Sequence, residues 1–468
     1  MSTVRPAFSD AGRNGATDPA SLRVVVASSV AILCLAAILL ECVTDMLPDG
    51  PLFWLITPVR LVLAVGLIAV LATGTFNFRT PADIPIAALL VSATVANYAA
   101  GQQWAAWRGL VTVIVVYYLV VGVRRAIPDS WSGISIFALV CVTVTSVAAV
   151  QQVAEDRPTG FCRGALDGSN DICGPDTMIR AVGTFSNPNL LAAFLVLMLP
   201  LAAAGAAAFT DRWTQLLGGG LVVIGYLAVV LSGSRGGMLA AMAGLATFVL
   251  LRRLRPGRHA TAENPSRWLV PAICAVGLGA LFVAFVTRGN IGIREDVWAA
   301  AARVVANNPL GVGPGRAGAF VEQAVASDET FQHTHNLWLN YAVETGMVGF
   351  LAVLAITVLA IWMAITATQN GSPTAPATAA GMMGFAVISL ADHPANNERI
   401  AFAVSIVLAV LFVDKLQKVR SASVSVGPWS QDDVDPSMFE ETRPIPRIAA
   451  AAVVPPPPPP TARPIRIV

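Results

Sequence analysis

"LRVVVASSVAILCLAAILLECV", residues 22–43, decides the fold. Only Arg23 near its start and Glu41 near its end are charged. As a helix rising about 1.5 Å per residue, the run covers the ~30 Å hydrocarbon core of a bilayer. It is too long for the apolar core of a secretory signal, and no small-residue cleavage site clearly follows it. It reads as a first spanning helix.

Similar runs recur outward from this one. The 468-residue chain is 55% hydrophobic and only 12% charged, with a mean hydropathy of +0.67. A soluble domain carries about twice that charge. The expected fold is therefore an all-α polytopic membrane protein of about twelve spanning helices. The spans fall near 22–43, 52–73, 83–100, 109–126, 132–153, 181–208, 214–232, 236–251, 268–287, 336–366, 376–391 and 400–414. The bilayer is the implied partner, and no nucleic acid is expected. The net charge of +2 says little, because in a membrane the placement of charge outweighs its sum.

Short cytoplasmic loops collect Lys and Arg. With residues 1–21 placed as a cytoplasmic tail, alternate loops hold Arg79, then Arg124 and Arg125, Arg212, and the run "RRLRPGRHATAENPSRW" of 252–268. Lys415, Lys418 and Arg420 follow the last span. The opposite side begins with "TDMLPDG" and includes a polar loop with Cys162 and Cys173, candidates for a disulfide. Such a bridge is worth roughly 3 kcal/mol in the chain-entropy model and requires an oxidising compartment. Cys34, Cys42, Cys141 and Cys274 lie in apolar runs and read as inert. Both termini are thus expected in the cytoplasm. Two sizeable outside loops result, 154–180 and 288–335. The second lies between the ninth and tenth spans and is long enough for a helical subdomain, with "IREDVWAAAARVVANNP" periodic up to Pro309. The spanning domain covers 22–415, and 416–468 is a Pro-rich tail expected to be disordered or polyproline-II.

Chemistry gathers on the outside face. Arg235 in "LSGSRGGML", Arg294 in "GIREDVW" and Arg316 in "GVGPGRAGAF" run against the charge bias that sets topology. A guanidinium pairs bidentately with phosphate oxygens, and two of them can hold a lipid-linked diphosphate at headgroup depth. A single arginine there also snorkels to headgroups, and turn formation alone explains the glycines around Arg316. Arg60, Arg108, Arg163 and Arg180 are secondary candidates.

In "DETFQHTHNLWLNYAVETGMVGFLAVL", 328–354, His335 and Asn336 stand where the tenth span begins. Asn336, Asn340 and Glu344 recur every four residues, placing them on one face that should look into a cavity. A histidine at that mouth takes a proton from a hydroxyl near neutral pH, or else caps the helix or meets headgroups. His333 and His335 invite a zinc reading, but no Cys, Asp or His cluster completes it in the sequence, so no metal site and no cofactor are expected. In "GTFSNPNLLAAFL", Ser186 or Asn187 can cap the sixth span beside Pro188, while Asn187 and Asn189 are placed to bond sugar hydroxyls.

The chain resembles the O-antigen ligase family, which includes O-antigen and exopolysaccharide polymerases. The family's ligase signature is His, then Asn, Ser or Gln, nine residues, Gly, two residues, then Gly, Thr or Tyr. His335, Asn336, Gly346 and Gly349 fit that spacing. "GTFSNPNLLAAFL", "SGSRGG", "REDVWAAA" and "NPLGVGPGRAGAF" resemble its other blocks, in its order, over about 180–350. The resemblance implies metal-independent, inverting glycosyl transfer on the periplasmic face of the bacterial inner membrane. The donor would be a glycan on undecaprenyl diphosphate and the acceptor lipid A–core, or another lipid-linked repeat in a polymerase. Arg235 and Arg294 would hold the diphosphate, and His335 would activate the acceptor hydroxyl. On the residue readings above, Asn336, Glu344, Asn187, Asn189 and Arg316 are the candidates for substrate contact. A protein O-oligosaccharyltransferase also fits the superfamily. A transporter or flippase is the rival from another class, but no internal repeat is visible.

Overall fold

The computed structural model describes residues 19–44, 47, 57–101, 104–162, 178–253, 293–325 and 330–424. The chain divides into two units, Met1–Ser421 and Ala422–Val468, and the contacts below lie in the first. Among the described residues the helices are α1 (Pro19–Thr44), α2 (Pro58–Ala72), α3 (Asp83–Ala99), α4 (Trp104–Ala126), α5 (Ser130–Ala154), α6 (Pro188–Ala208), α7 (Arg212–Leu231) and α8 (Arg235–Arg253). Then come α9 (Arg294–Asn307), α10 (Ala317–Ala324), α11 (Leu337–Gln369), α12 (Ala375–Ser389), a 3-10 turn (Pro394–Asn396) and α13 (Glu398–Val424). The sole β feature among them is a bridge between Cys162 and Ile179.

Seven helices, α1, α4 to α8 and α11, are long and apolar enough to cross a membrane, and α2, α3 and α12 are shorter apolar helices. Their outward faces carry Leu33, Ile68, Val91, Leu217, Val223, Leu250 and Val358, all more than half exposed. So broad an apolar skin is costly in water and at no cost in lipid. The chain is a polytopic helical membrane protein. Each expected span outside 268–287 overlaps a described helix, that of 52–73 from Pro58 onward; 52–56, 268–287, Cys173, Cys274, Arg163 and the Pro-rich stretch lie outside the described residues. Cys162 is disulfide-bonded.

Local sequence sets the helix starts. Thr57 caps α2 ahead of Pro58, accepting from Arg60 N at 3.4 Å. Asp211 caps α7 through Thr214 N at 3.0 Å. The sixth span opens later than expected, because Asn187 caps it through Asn189 N at 2.7 Å and Pro188 takes the first helical position.

The core is built around α6, whose residues from Leu191 to Leu199 are all buried. Without a hydrophobic force between helices in lipid, small residues that admit close approach hold them together. A Cβ at Gly381 would lie 2.2 Å from Leu197 O, and one at Gly205 would lie 2.3 Å from Ser135 O, so α12 and α5 touch α6 backbone to backbone. Gly236 meets Ile388, Gly384 meets Ala240, and Gly244 meets Ala380. That register makes α8 and α12 antiparallel, with the start of α8 beside the end of α12. Gly237 against Ala192 puts the start of α6 there as well.

Helix α11 departs from the continuous span expected of 336–366. It breaks at Gly346, at φ 69° and ψ −170°. The loop before α10 lies against the break: Val312 N donates to Val343 O at 2.9 Å, Gly313 N to Glu344 O at 3.0 Å, and Met347 N to Pro309 O at 3.1 Å. Backbone groups freed by the kink are thus satisfied by the loop, as an apolar medium requires.

Candidate functional site

The site is assembled where α11 begins. His335 precedes its cap at φ 53°, a left-handed conformation uncommon outside glycine. Holding it there costs about 1 kcal/mol or more, and neighbours supply the restraint. Thr334 Oγ1 donates to Asn336 O at 2.9 Å, and Thr334 N to the buried Asn340 Oδ1 at 3.2 Å. Asn336 Oδ1 caps α11 through Leu339 N at 2.9 Å, while its Nδ2 donates to Leu390 O at 3.0 Å.

That last bond brings in the end of α12 and the segment after it. Asp392 Oδ1 lies 3.0 Å from His333 Nε2 and 3.8 Å from His335 Nδ1, and accepts from His393 N at 2.8 Å. The His333 ring centroid stands 4.7 Å from that of His335 and 5.8 Å from that of His393. Sequence reasoning left His333 and His335 without a companion; the fold brings Asp392 and His393 to them. A signal was present, because the loop alternation that put 288–335 outside also puts 391–399 there.

Burial pushes the His333 imidazole down to about 4, helped by the facing His335 and opposed by Asp392. Burial likewise lowers His393 to about 3, with His333 adding to it. Burial alone would raise the Asp392 carboxyl, but the facing His335 and the His393 N–H hold it below its ordinary value. At neutral pH the cluster is thus a carboxylate beside neutral His333 and His393 rings.

The arginines lie on the elements around this cluster. Arg235 is exposed at the first turn of α8, where Gly233 turns the chain at φ 62° and Ser234 Oγ accepts from Gly237 N at 3.1 Å. Its neighbour Gly236 faces Ile388, four residues before Asp392. Arg294 is half-buried at the first turn of α9. The inner face of that helix, Val297, Ala300, Ala301 and Val304, packs on Phe331 and Val343, which bracket His335. Arg180 donates to Ser232 O at 2.9 Å and to Asn189 Oδ1 at 3.4 Å, linking the start of α6 to the turn before Arg235.

Other predicted residues are engaged by the chain itself. Arg316 donates to Ala100 O and lies 5.3 Å over the Phe320 ring. The Glu344 carboxylate accepts from the backbone of Gly315 and Ala317 and from Asn340. The Asn336, Asn340 and Glu344 face thus fastens the histidine loop and the α10 turn to α11. Arg60 Nε donates to Thr112 Oγ1 at 3.2 Å.

Residues 220–354 match the model of the O-antigen ligase family. Over this stretch the chain is similar to the O-antigen ligase family. The matched stretch runs from within α7 into α11 and includes Arg235, Arg294, Arg316, His335 and Glu344. Asp392 and His393 come to the matched stretch from outside it. No curated protein matches the chain. That likeness supports a membrane protein of the O-antigen ligase or polymerase type.

Beside the domain is an apolar cavity of about 430 Å³. Leu337, Trp338 and Tyr341 of α11 line it with residues of α3, α4, α8, α12 and α13. Tyr341 also stands edge-on to His393, with centroids 5.9 Å apart.

Proposed function

We propose that this chain is a twelve-span glycosyltransferase of the bacterial inner membrane, with both termini cytoplasmic and its site on the periplasmic face. It moves a glycan from undecaprenyl diphosphate to a hydroxyl of lipid A–core. One observation carries the reading: the starts of α6, α8 and α11 meet at one end of the bundle, beside Arg235 and an imidazole–carboxylate cluster. Helix N-termini present unbonded N–H groups and a positive dipole end, which favour an anion such as a diphosphate.

In this reading Arg235 and Arg294 grip the diphosphate, and the apolar cavity takes isoprenoid units of its tail. The acceptor oxygen attacks the anomeric carbon as the bond from that carbon to the phosphate oxygen breaks. The electron pair leaves with undecaprenyl diphosphate, the acceptor proton goes to His335, and the anomeric centre inverts. Charge arises in two places. The arginines and helix ends meet the growing phosphate charge, a contribution of about 3–4 kcal/mol per donor in comparable oxyanion sites. Asp392 faces the imidazolium that forms on His335, as the carboxylate of a catalytic triad does. No step requires a metal.

Deletion of the gene, complemented with Arg235→Ala, Arg294→Ala or His335→Ala, tests this on a lipopolysaccharide gel. Loss of long chains from lipid A–core, with lipid-linked polymer accumulating, is the expected result. Single repeats without polymer would instead mark the polymerase form of the same chemistry. Wild-type ladders from all three variants would remove the mechanism.

A further inference from the structure

We propose that His333, His335 and Asp392 form a binding site for a divalent transition cation of the zinc type, and that filling it stops the enzyme. The inhibitory half rests on the reading of His335 as proton acceptor; the binding half does not. Each residue offers one ligand atom, and the three atoms lie within 4.8 Å of one another. A tetrahedral zinc with bonds of about 2.0–2.2 Å spaces its ligands about 3.4 Å apart. Side-chain rotations of little more than about 1 Å therefore close the set.

The chemistry of the donors is selective. Two imidazoles and one carboxylate suit zinc and its neighbours and leave a coordination position open, whereas magnesium and calcium favour oxygen ligands throughout. The site is also braced from behind. His393 N–H fixes the Asp392 carboxylate at 2.8 Å, and such outer contacts orient ligands. Nδ1 of His333 is buried without a hydrogen-bond partner, and Nδ1 of His335 faces Asp392, itself a proposed ligand, at 3.8 Å. His393 is 5% exposed, and its Nδ1 also lacks a partner. Its ring lies 5.8 Å from that of His333, within reach as a fourth ligand after local adjustment.

Occupancy and proton acceptance exclude each other. The His335 nitrogen that faces Asp392 is Nδ1. A neutral imidazole that ligates through Nδ1 carries its hydrogen on Nε2. It then has no lone pair left for the proton of an acceptor alcohol. The cation and the hydroxyl compete for one ring.

The test titrates ZnCl2 into the full chain, purified in detergent and stripped with EDTA, by calorimetry. One equivalent should bind in the micromolar range, and His333→Gln and Asp392→Asn should each lose it while retaining a cooperative thermal transition. Should those variants fail to fold, Co2+ on the wild type supplies the second readout: visible d–d bands without a thiolate charge-transfer band. No binding, binding unchanged in folded variants, or thiolate bands would each overturn the site. In reconstituted transfer, zinc should lower the rate at least tenfold and EDTA restore it. Bound zinc with an unchanged rate would overturn the inhibition. Zinc stoichiometry does not depend on the reaction, so full transfer by His335→Ala would sink the mechanism above and leave the site standing.

Discussion

Gly346→Ala tests the joint between the kinked helix and the loop that carries the α10 turn. Two costs can be worked from the structure. At φ 69° and ψ −170°, a residue with a Cβ is strained by about 1–3 kcal/mol. The added Cβ would also lie 2.3 Å from Pro309 O and 2.5 Å from Leu310 C, where ordinary contact begins at 3.4 Å. The loop must therefore retreat by about 1 Å. That displacement lengthens three bonds now at 2.9, 3.0 and 3.1 Å, from Val312 N, Gly313 N and Met347 N, each worth about 1 kcal/mol net. The sum is about 4–6 kcal/mol, at the upper end for a single substitution. Unfolding in mixed SDS–detergent micelles, followed by tryptophan fluorescence, measures it. Gly219→Ala is the control, since it sits inside α7 with nothing within 4 Å of its Cβ, and alanine there should be neutral or stabilising by up to about 1 kcal/mol. A Gly346→Ala protein within 1 kcal/mol or so of wild type would show that the loop does not need this contact.

Other outcomes follow from the same contacts. Asn336→Ala removes both the α11 cap and the bond to Leu390 O and should cost about 1–3 kcal/mol in that assay, whereas Asn336→Asp keeps the cap and should cost less; equal losses would contradict the division of roles. With EDTA present, stability should fall as the pH drops from about 6.5 towards 4. His333 and His393 titrate near 4 and 3 when folded, so the unfolded chain binds more protons across that window; a flat profile would refute their burial as neutral rings. Because Cys162 is bonded, iodoacetamide in denaturant should reach at most four of the six cysteines before reduction and six after it; six without reductant would exclude the disulfide.

Sequence and structure agree most where one physical rule acts alone. Apolar runs longer than a bilayer is thick marked α1, α4, α5 and the other long helices, and Pro188 after Asn187 marked a helix start. The histidine stretch was visible because polar groups at the edge of an apolar run are costly. Its carboxylate was not, because Asp392 is 57 residues beyond His335 and pairs with it only after α11 and α12 fold back. Periodicity placed Asn336, Asn340 and Glu344 on one face, but spacing does not reveal what that face meets. Here it meets Thr334, Leu390 and the turn at Gly315. The break at Gly346 was hidden for a related reason. A glycine inside an apolar run reads as tolerated, and only the loop against it turns it into a requirement.

The central claim is that His335 takes the acceptor proton while the cationic end of the bundle holds the diphosphate. Proteoliposomes containing only this chain, with EDTA, a glycan on undecaprenyl diphosphate and lipid A–core, address it directly. The account predicts one inverted glycosidic bond for each undecaprenyl diphosphate released. It further predicts that His335→Ala still binds donor but transfers at least about 100-fold more slowly. Transfer at the wild-type rate by His335→Ala, or a retained anomeric configuration, would contradict it.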